Sequence, residues 1–219
     1  MWEILYTYRE GFLSGLATTL SLALIVWAVG LGLGILLGAL ADRHRDTIGL
    51  LTNSASFLLA GIPVIVLLFW AHFPLQVLLQ NVIEPFVTAA AVLSIVNTFA
   101  VAQIVTAVLG EFPEQYVTAA RVCGLNPRTT FLRIKLPIVF RLLLPPLLTS
   151  QVVILQATLF ASLISVEEVF RVAQRINATA YKPVEIYTAL AILFLIICLP
   201  LNALAALMKK RFSRNLSER

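Results

Sequence analysis

Five stretches of this 219-residue chain contain no Asp, Glu, Lys or Arg: Gly11–Ala41, Thr47–Ile83, Pro85–Gly110, Leu142–Val166 and Ile186–Met208. Each exceeds the ~20 apolar residues that cross about 30 Å of hydrocarbon at 1.5 Å per residue. A charge at mid-bilayer costs about 2.5–3.5 kcal/mol even on an insertion scale, so such windows locate crossings. The pattern predicts an all-α integral membrane protein, one transmembrane domain over residues 1–219, with five helices at about 12–40, 52–71, 86–109, 142–164 and 186–208. Pro63 and Pro74, with His72 between them, give the second window places to kink or stop. Composition excludes disorder, a coiled coil and an ordinary water-soluble domain: 60% of residues are hydrophobic and 12% charged, against roughly 45–50% and about 25% in soluble folds.

The net charge of +5 reads as topology rather than as affinity for nucleic acid. If five helices alternate, Arg9 and the loop 167–185 put 4 basic residues on one side, and the loops 42–46 and 111–141 with the tail put 12 on the other. The basic side is the cytoplasmic one, which predicts an outer N-terminus, an inner C-terminus and an inner position for loop 111–141. No cleaved leader is expected, because the start lacks a basic region and the first apolar run is too long. Cys123 and Cys198 are too few for a disulfide framework and lack metal-ligand spacing.

Within the first span Gly30, Gly34 and Gly38 form two overlapping G-x-x-x-G steps on one helix face, a stripe that lets a neighbouring backbone approach closely. Polar residues inside spans rarely face lipid. Here they are Asn97, Thr98, Gln103 and Thr106 on the third span, and Gln151, Gln156, Thr158 and Ser162 on the fourth. Two readings apply to them: hydrogen bonding between helices, or lining of a passage.

Loop 111–141 predicts a helical hairpin. Tyr116, Ala119, Ala120 and Cys123 recur at helical spacing, Gly124 is placed as a left-handed terminator, and Asn126-Pro127 supplies a cap and first turn for a second helix that Pro137 stops. A hairpin of this kind either rests on the lipid interface or docks a partner.

The stretch AARVCGLNPRTTFLRIKLP (Ala119–Pro137) resembles the EAA signature of ABC importer permeases. The runs SGLATTLSLALIVWAVGLGLGILLGAL and LISVEEVFRVAQRINATAYKPVEIYTALAILFLIICLPLNALAALMKKRF resemble the polar amino acid permease branch, so the likeness covers nearly the whole chain. The resemblance implies a five-helix subunit of the bacterial inner membrane that moves a polar amino acid or related solute inward by alternating access. It implies a cytoplasmic ABC ATPase homodimer, a second permease subunit (identical or homologous) and a periplasmic or lipid-anchored solute-binding protein as partners, besides membrane lipids. It carries coupling to the ATPase onto Ala119, Ala120, Arg121, Gly124, Phe131, Leu136 and Pro137. No cofactor is expected on this chain, since it has no Gly-x-x-x-x-Gly-Lys-Ser/Thr loop; ATP and Mg belong to the ATPase, and no metal site is expected here.

The chain departs from the family pattern at specific positions. Thr118 stands where the signature has its glutamate. An Ala-Glu-Ile followed by arginine becomes AQIVT, with Gln103 and Thr106, and a Lys-Asp-Thr becomes Gln156, Ala157 and Thr158. Two acids and two bases disappear together, as deletion of intramembrane ion pairs requires, and a more neutral wall to the passage is expected. Asn97, Gln103, Thr106, Gln151, Gln156, Thr158 and Ser162 are the path candidates. Competing readings fare worse. An enzyme lacks a catalytic cluster, the adjacent Glu167 and Glu168 reading as a solvated outer surface. A self-contained channel or secondary transporter lacks charged coupling residues in its spans. A permease of another ABC branch, such as methionine uptake, would share the hairpin and differ in solute.

Overall fold

The computed structural model describes residues 6–217, with side chains through Phe212; of the tail's basic residues, Arg214 has no described side chain and Arg219 lies outside the described residues. Ten α-helices follow one another, and no strand occurs among the described residues. They are α1 (Arg9–Arg43), α2 (Leu50–Gly61), α3 (Val64–His72), α4 (Pro74–Leu79), α5 (Pro85–Gly110), α6 (Gln115–Val122), α7 (Pro127–Thr130), α8 (Leu136–Ala157), α9 (Val169–Ala180) and α10 (Pro183–Ser217). π-helical turns at Arg45–Gly49 and Phe131–Lys135 and a 3-10 stretch at Thr158–Ile164 join some of them.

Four helical runs are long and apolar enough to cross a membrane: Arg9–Arg43, Pro85–Gly110, Pro127–Ile164 and Pro183–Phe212. The second expected crossing, at 52–71, is not one helix. The chain turns by 94° between Arg45–Gly61 and Val64–Leu79. Pro63 causes the break: it has no N–H for the ladder and forces Ile62 into an extended conformation, φ −105° and ψ 123°. Beyond it, α3 and α4 lead on along α5 towards its start: Ser56 Oγ of α2 reaches Phe99 O, and Leu68 of α3 packs with Leu93 and Ala89. Buried Gln76 fastens that end, because its Oε1 accepts from Ile83 N at 3.0 Å while its Nε2 donates to Thr88 Oγ1 at 3.1 Å.

The most extensive packing is between α1 and α5, and the glycines dictate it. A Cβ on Gly34 would lie 2.6 Å from Val101 Cβ, and one on Gly38 would lie 2.6 Å from Val105 Cβ. A Cβ on Gly30 would overlap the Asn97 side chain. Only hydrogen fits at these three positions, so the helices approach backbone to backbone.

On its other flank α5 runs antiparallel to α8. Asn97 and Gln151 exchange reciprocal amide hydrogen bonds of 2.9 and 3.2 Å across the pair. Asn97 Nδ2 also donates to Val26 O of α1 at 3.1 Å, and Trp27 Nε1 donates to Gln151 O at 3.0 Å. Three helices are thereby tied at one level. Four and eight residues further along, Val101 and Val105 join Leu147 and Leu143 in one buried apolar seam. This register places the hairpin 111–135 at one end of the bundle and α9 at the other.

Packing of this kind makes a clear prediction. Gly34→Ala lowers the thermal unfolding midpoint of the detergent-purified chain, by the equivalent of about 1–3 kcal/mol for a forced methyl. Gly32→Ala, which meets nothing within 4 Å on the same helix, leaves the midpoint unchanged or raises it.

Candidate functional site

The hairpin is rooted in the bundle and open at its tip. Phe112 is buried in the same cluster as Val105 and Val139, with Tyr116 and Val117 packed against it. Lys135 Nζ lies 5.5 Å from the centre of the Phe112 ring, a cation–π contact between the two arms. Of the predicted apolar face, Ala120 is buried and Tyr116 half-buried, whereas Ala119 and Cys123 are exposed. The inner face is therefore Phe112, Tyr116, Val117 and Ala120, shifted from the spacing reading.

The turn between the arms is a Schellman motif. Leu125 N donates to Ala120 O and Gly124 N to Arg121 O, each at 3.0 Å, around a Gly124 with φ +73°. That left-handed conformation opposes any Cβ, although the space beside Gly124 is open. Asn126 then caps α7, its Oδ1 accepting from Thr129 N at 2.7 Å.

The second arm differs from expectation at Pro137. The sequence reading stops a separate helix there, but α7 passes through the π turn Phe131–Lys135 straight into α8, making one helical run from Pro127 to Ile164. Pro137 lies two residues beyond the π turn inside this run, and the wider turn before it makes room for the ring. The hairpin's second arm is thus the projecting end of a span. Arg121, Gly124 and Pro137 are exposed, and Val122, Phe131 and Leu136 expose 83%, 51% and 46% of their surface with no cover from this chain. Thr118, in place of the signature glutamate, is exposed and turns its hydroxyl to Glu114 O at 3.2 Å.

The path candidates divide sharply. Asn97 and Gln151 are spent on each other and on α1. Thr158 and Ser162 are buried and donate to Leu155 O and Leu159 O, both at 2.7 Å, within their own helix. Thr106 is half-buried and bonds back to Ala102 O and Gln103 O at 3.0 Å. Only Gln103 and Gln156 are exposed, and they lie on different helices. A cleft of ≈ 1210 Å³ opens at the hairpin end between α5, α8, α10 and the hairpin root. Among the described residues no group of three His, Cys, Asp or Glu side chains could hold a metal ion.

At the opposite end the sequence reading missed both an element and a residue. The supposed outer loop contains α9, whose buried Val169, Val172, Ala173 and Ile176 follow helical spacing and pack with Phe12 and Ile186. Glu168, read as solvated, is fully buried. Its carboxylate caps α9, accepting from Arg171 N at 2.8 Å and Phe170 N at 2.9 Å, and Thr19 Oγ1 of α1 lies 3.4 Å from it. Thr19 Oγ1 also accepts from Val169 N at 3.1 Å. The periodicity of α9 was legible; Glu is not among the usual capping residues, which hid its role. Glu167 next to it is exposed and pairs with Arg175 at 2.9 Å.

Burial pushes the Glu168 carboxyl from 4.5 up to about 7, against the opposing pull of the two backbone donors. A carboxyl with a raised folded pKa favours the folded state most below its unfolded value, and that advantage is lost as pH rises towards the folded value. The 4.5 to 7 shift sets the window. Wild-type stability should fall by up to about 3 kcal/mol across it. Glu168→Gln should flatten that slope in thermal unfolding measured from pH 4.5 to 7.5.

The sequence matches the family of binding-protein-dependent transport system inner membrane components over residues 30–214. It is 28% identical to the histidine/lysine/arginine/ornithine transport system permease protein HisQ of Salmonella typhimurium, with 96% of each chain covered. It is 27% identical to the glutamine transport system permease protein GlnP of Escherichia coli, again over 96% of each. Its fold is similar to that in a crystal structure of an amino acid ABC transporter with histidines, at TM-score 0.84 and 23% identity over 94% of this chain and 96% of that one. An inward-facing methionine ABC transporter superposes at TM-score 0.69 and 18% identity, covering 92% and 98%. A match over four-fifths of the sequence shows that the chain belongs to the family of binding-protein-dependent transport system inner membrane components.

Proposed function

We propose that this permease subunit imports a polar amino acid or a related small solute, paired with a second permease, with its hairpin on the cytoplasmic side gripped by an ABC ATPase. The observation that carries the reading is the hairpin itself. Its root is buried and fixed by Phe112 and Lys135, while Val122 beside the turn and Phe131 and Leu136 along the second arm stand uncovered. A rigid lever with an apolar, partner-seeking surface is what a motor needs in order to move a membrane core between two states. Relatives named for histidine/lysine/arginine/ornithine and for glutamine transport support the solute class. The excess of basic residues at the hairpin end supports a cytoplasmic position for it, and a bacterial inner-membrane location follows.

In this reading ATP binding closes the ATPase pair, draws the hairpins together and opens the core outward, where a solute-binding protein delivers its cargo. Hydrolysis and product release, performed by the ATPase, reset it. Of the candidates for the passage wall, Gln103 and Gln156 remain, as neutral side chains at positions where the family pattern carries charge. The other five serve packing and hydrogen bonding inside the subunit.

The deciding experiment is reconstitution of the full complex, with measurement of ATP hydrolysis as each solute-loaded binding protein is added. Stimulation by one loaded binding protein is expected; a rate indifferent to all of them overturns the reading. In the same preparation Gly124→Val should cut stimulated hydrolysis by on the order of tenfold or more, since a β-branched residue at positive φ costs more than 1 kcal/mol, and leave the basal rate of the ATPase intact. Gln103→Glu should shift uptake towards cationic solutes. Unchanged preference and rate would remove Gln103 from the passage.

A further inference from the structure

We infer that the cleft between α5, α8 and α10 is a seat for an anionic phospholipid, with its phosphate at Arg141 and Lys209 and an acyl chain along the α8 and α10 walls. The rim carries these two cations and one carboxylate, Glu111. Neither Arg141 nor Lys209 has a carboxylate partner among the described residues, where the salt bridges are Arg45–Asp42 and Arg175–Glu167. Inward from the rim the walls turn apolar, through Pro145, Pro146, Val153, Ala205 and Ala206, with Ser150 and Asn202 as polar groups. Thr149 is already bonded to Pro145 O at 3.1 Å. A charged mouth over an apolar trough fits an amphiphile with an anionic head.

Dimensions separate the lipid from other occupants. From Arg141 to Val153 the α8 wall rises about 18 Å at 1.5 Å per residue, close to the roughly 15 Å depth of one leaflet. The ≈ 1210 Å³ volume exceeds the ~300–1,000 Å³ of a small-molecule pocket. Neither exposed path candidate, Gln103 nor Gln156, lines it. The inference rests on the proposed cytoplasmic position of the hairpin end, where anionic headgroups gather. It adds a consequence: Pro113, Gln115 and Tyr116 form part of the same cleft, so a seated lipid braces the root of the hairpin.

Native mass spectrometry of the full chain, released from mild detergent with phosphatidylglycerol or phosphatidylcholine as probe, tests this directly. Wild type should retain phosphatidylglycerol on the order of tenfold better than phosphatidylcholine. The double variant R141Q/K209Q should lose the preference, Val153→Trp should lose both lipids, and Lys182→Gln at the far end should change neither. Thermal unfolding run alongside separates a misfolded variant from one that has lost only lipid. Equal retention of the two lipids, or a preference that survives R141Q/K209Q, overturns the inference. So does efficient maleimide cross-linking of Ala206→Cys between chains, which assigns the cleft to a second copy. Full stimulation of ATP hydrolysis by loaded binding protein, together with no lipid retention, overturns this inference and leaves the importer reading standing. Retained phosphatidylglycerol with no stimulation does the reverse.

Discussion

Inside a bilayer helices gain little by hiding apolar side chains from one another, because the solvent is itself apolar; close packing and hydrogen bonds must hold them. The approach of α1 to α5 over Gly30, Gly34 and Gly38 is the contact on which the rest depends. It brings the backbone of α1 near enough for Val26 O to accept from Asn97, and it puts Trp27 in reach of Gln151 O. The amide pair of Asn97 and Gln151 then fixes the register of α8. Once that register is set, the hairpin must emerge at one end of the bundle and α9 must fold back at the other.

Much of this was legible in the sequence, for physical reasons that can be named. Charge-free windows find spans because burying charge in hydrocarbon is costly, and four of the five appear as long helices. Gly124 and Asn126 were readable because turn and cap chemistry is local, settled by residues within five positions. Pro63 was readable as a place to kink or stop, and it breaks its span by 94°. Pro137 was misread as a stop, because the wider turn that makes room for its ring leaves no mark in the sequence. Features that depend on partners distant in sequence were not readable. Glu168 has the composition of a surface residue, and only the arrival of Thr19 from 149 positions away makes it an interior one.

The same distinction sorts the polar residues of the spans. Sequence alone cannot separate an amide that lines a route from an amide that bolts two helices, as both demand a polar group away from lipid. The structure assigns Asn97 and Gln151 to the bolt and returns the hydroxyls of Thr106, Thr158 and Ser162 to their own helices. What stays outward is neutral, while Glu168, the fully buried carboxyl among the described residues, sits beyond the end of the fourth span and accepts from the first N–H groups of α9. The subunit thus keeps its electrostatics at its two ends and its middle nearly free of them.

The fourth span changes winding before it reaches the α9 end, with Thr158–Ile164 in 3-10 form. Seven residues at about 2.0 Å each extend about 14 Å, against about 10.5 Å as α-helix. The 3-10 form therefore makes this end of the span about 3.5 Å longer than an α-helix of the same residues and sets the height at which the chain turns into α9. That extra reach is held at both ends, by the clamp at Gln151 on one side and by the bond from Val169 N to Thr19 of α1 on the other.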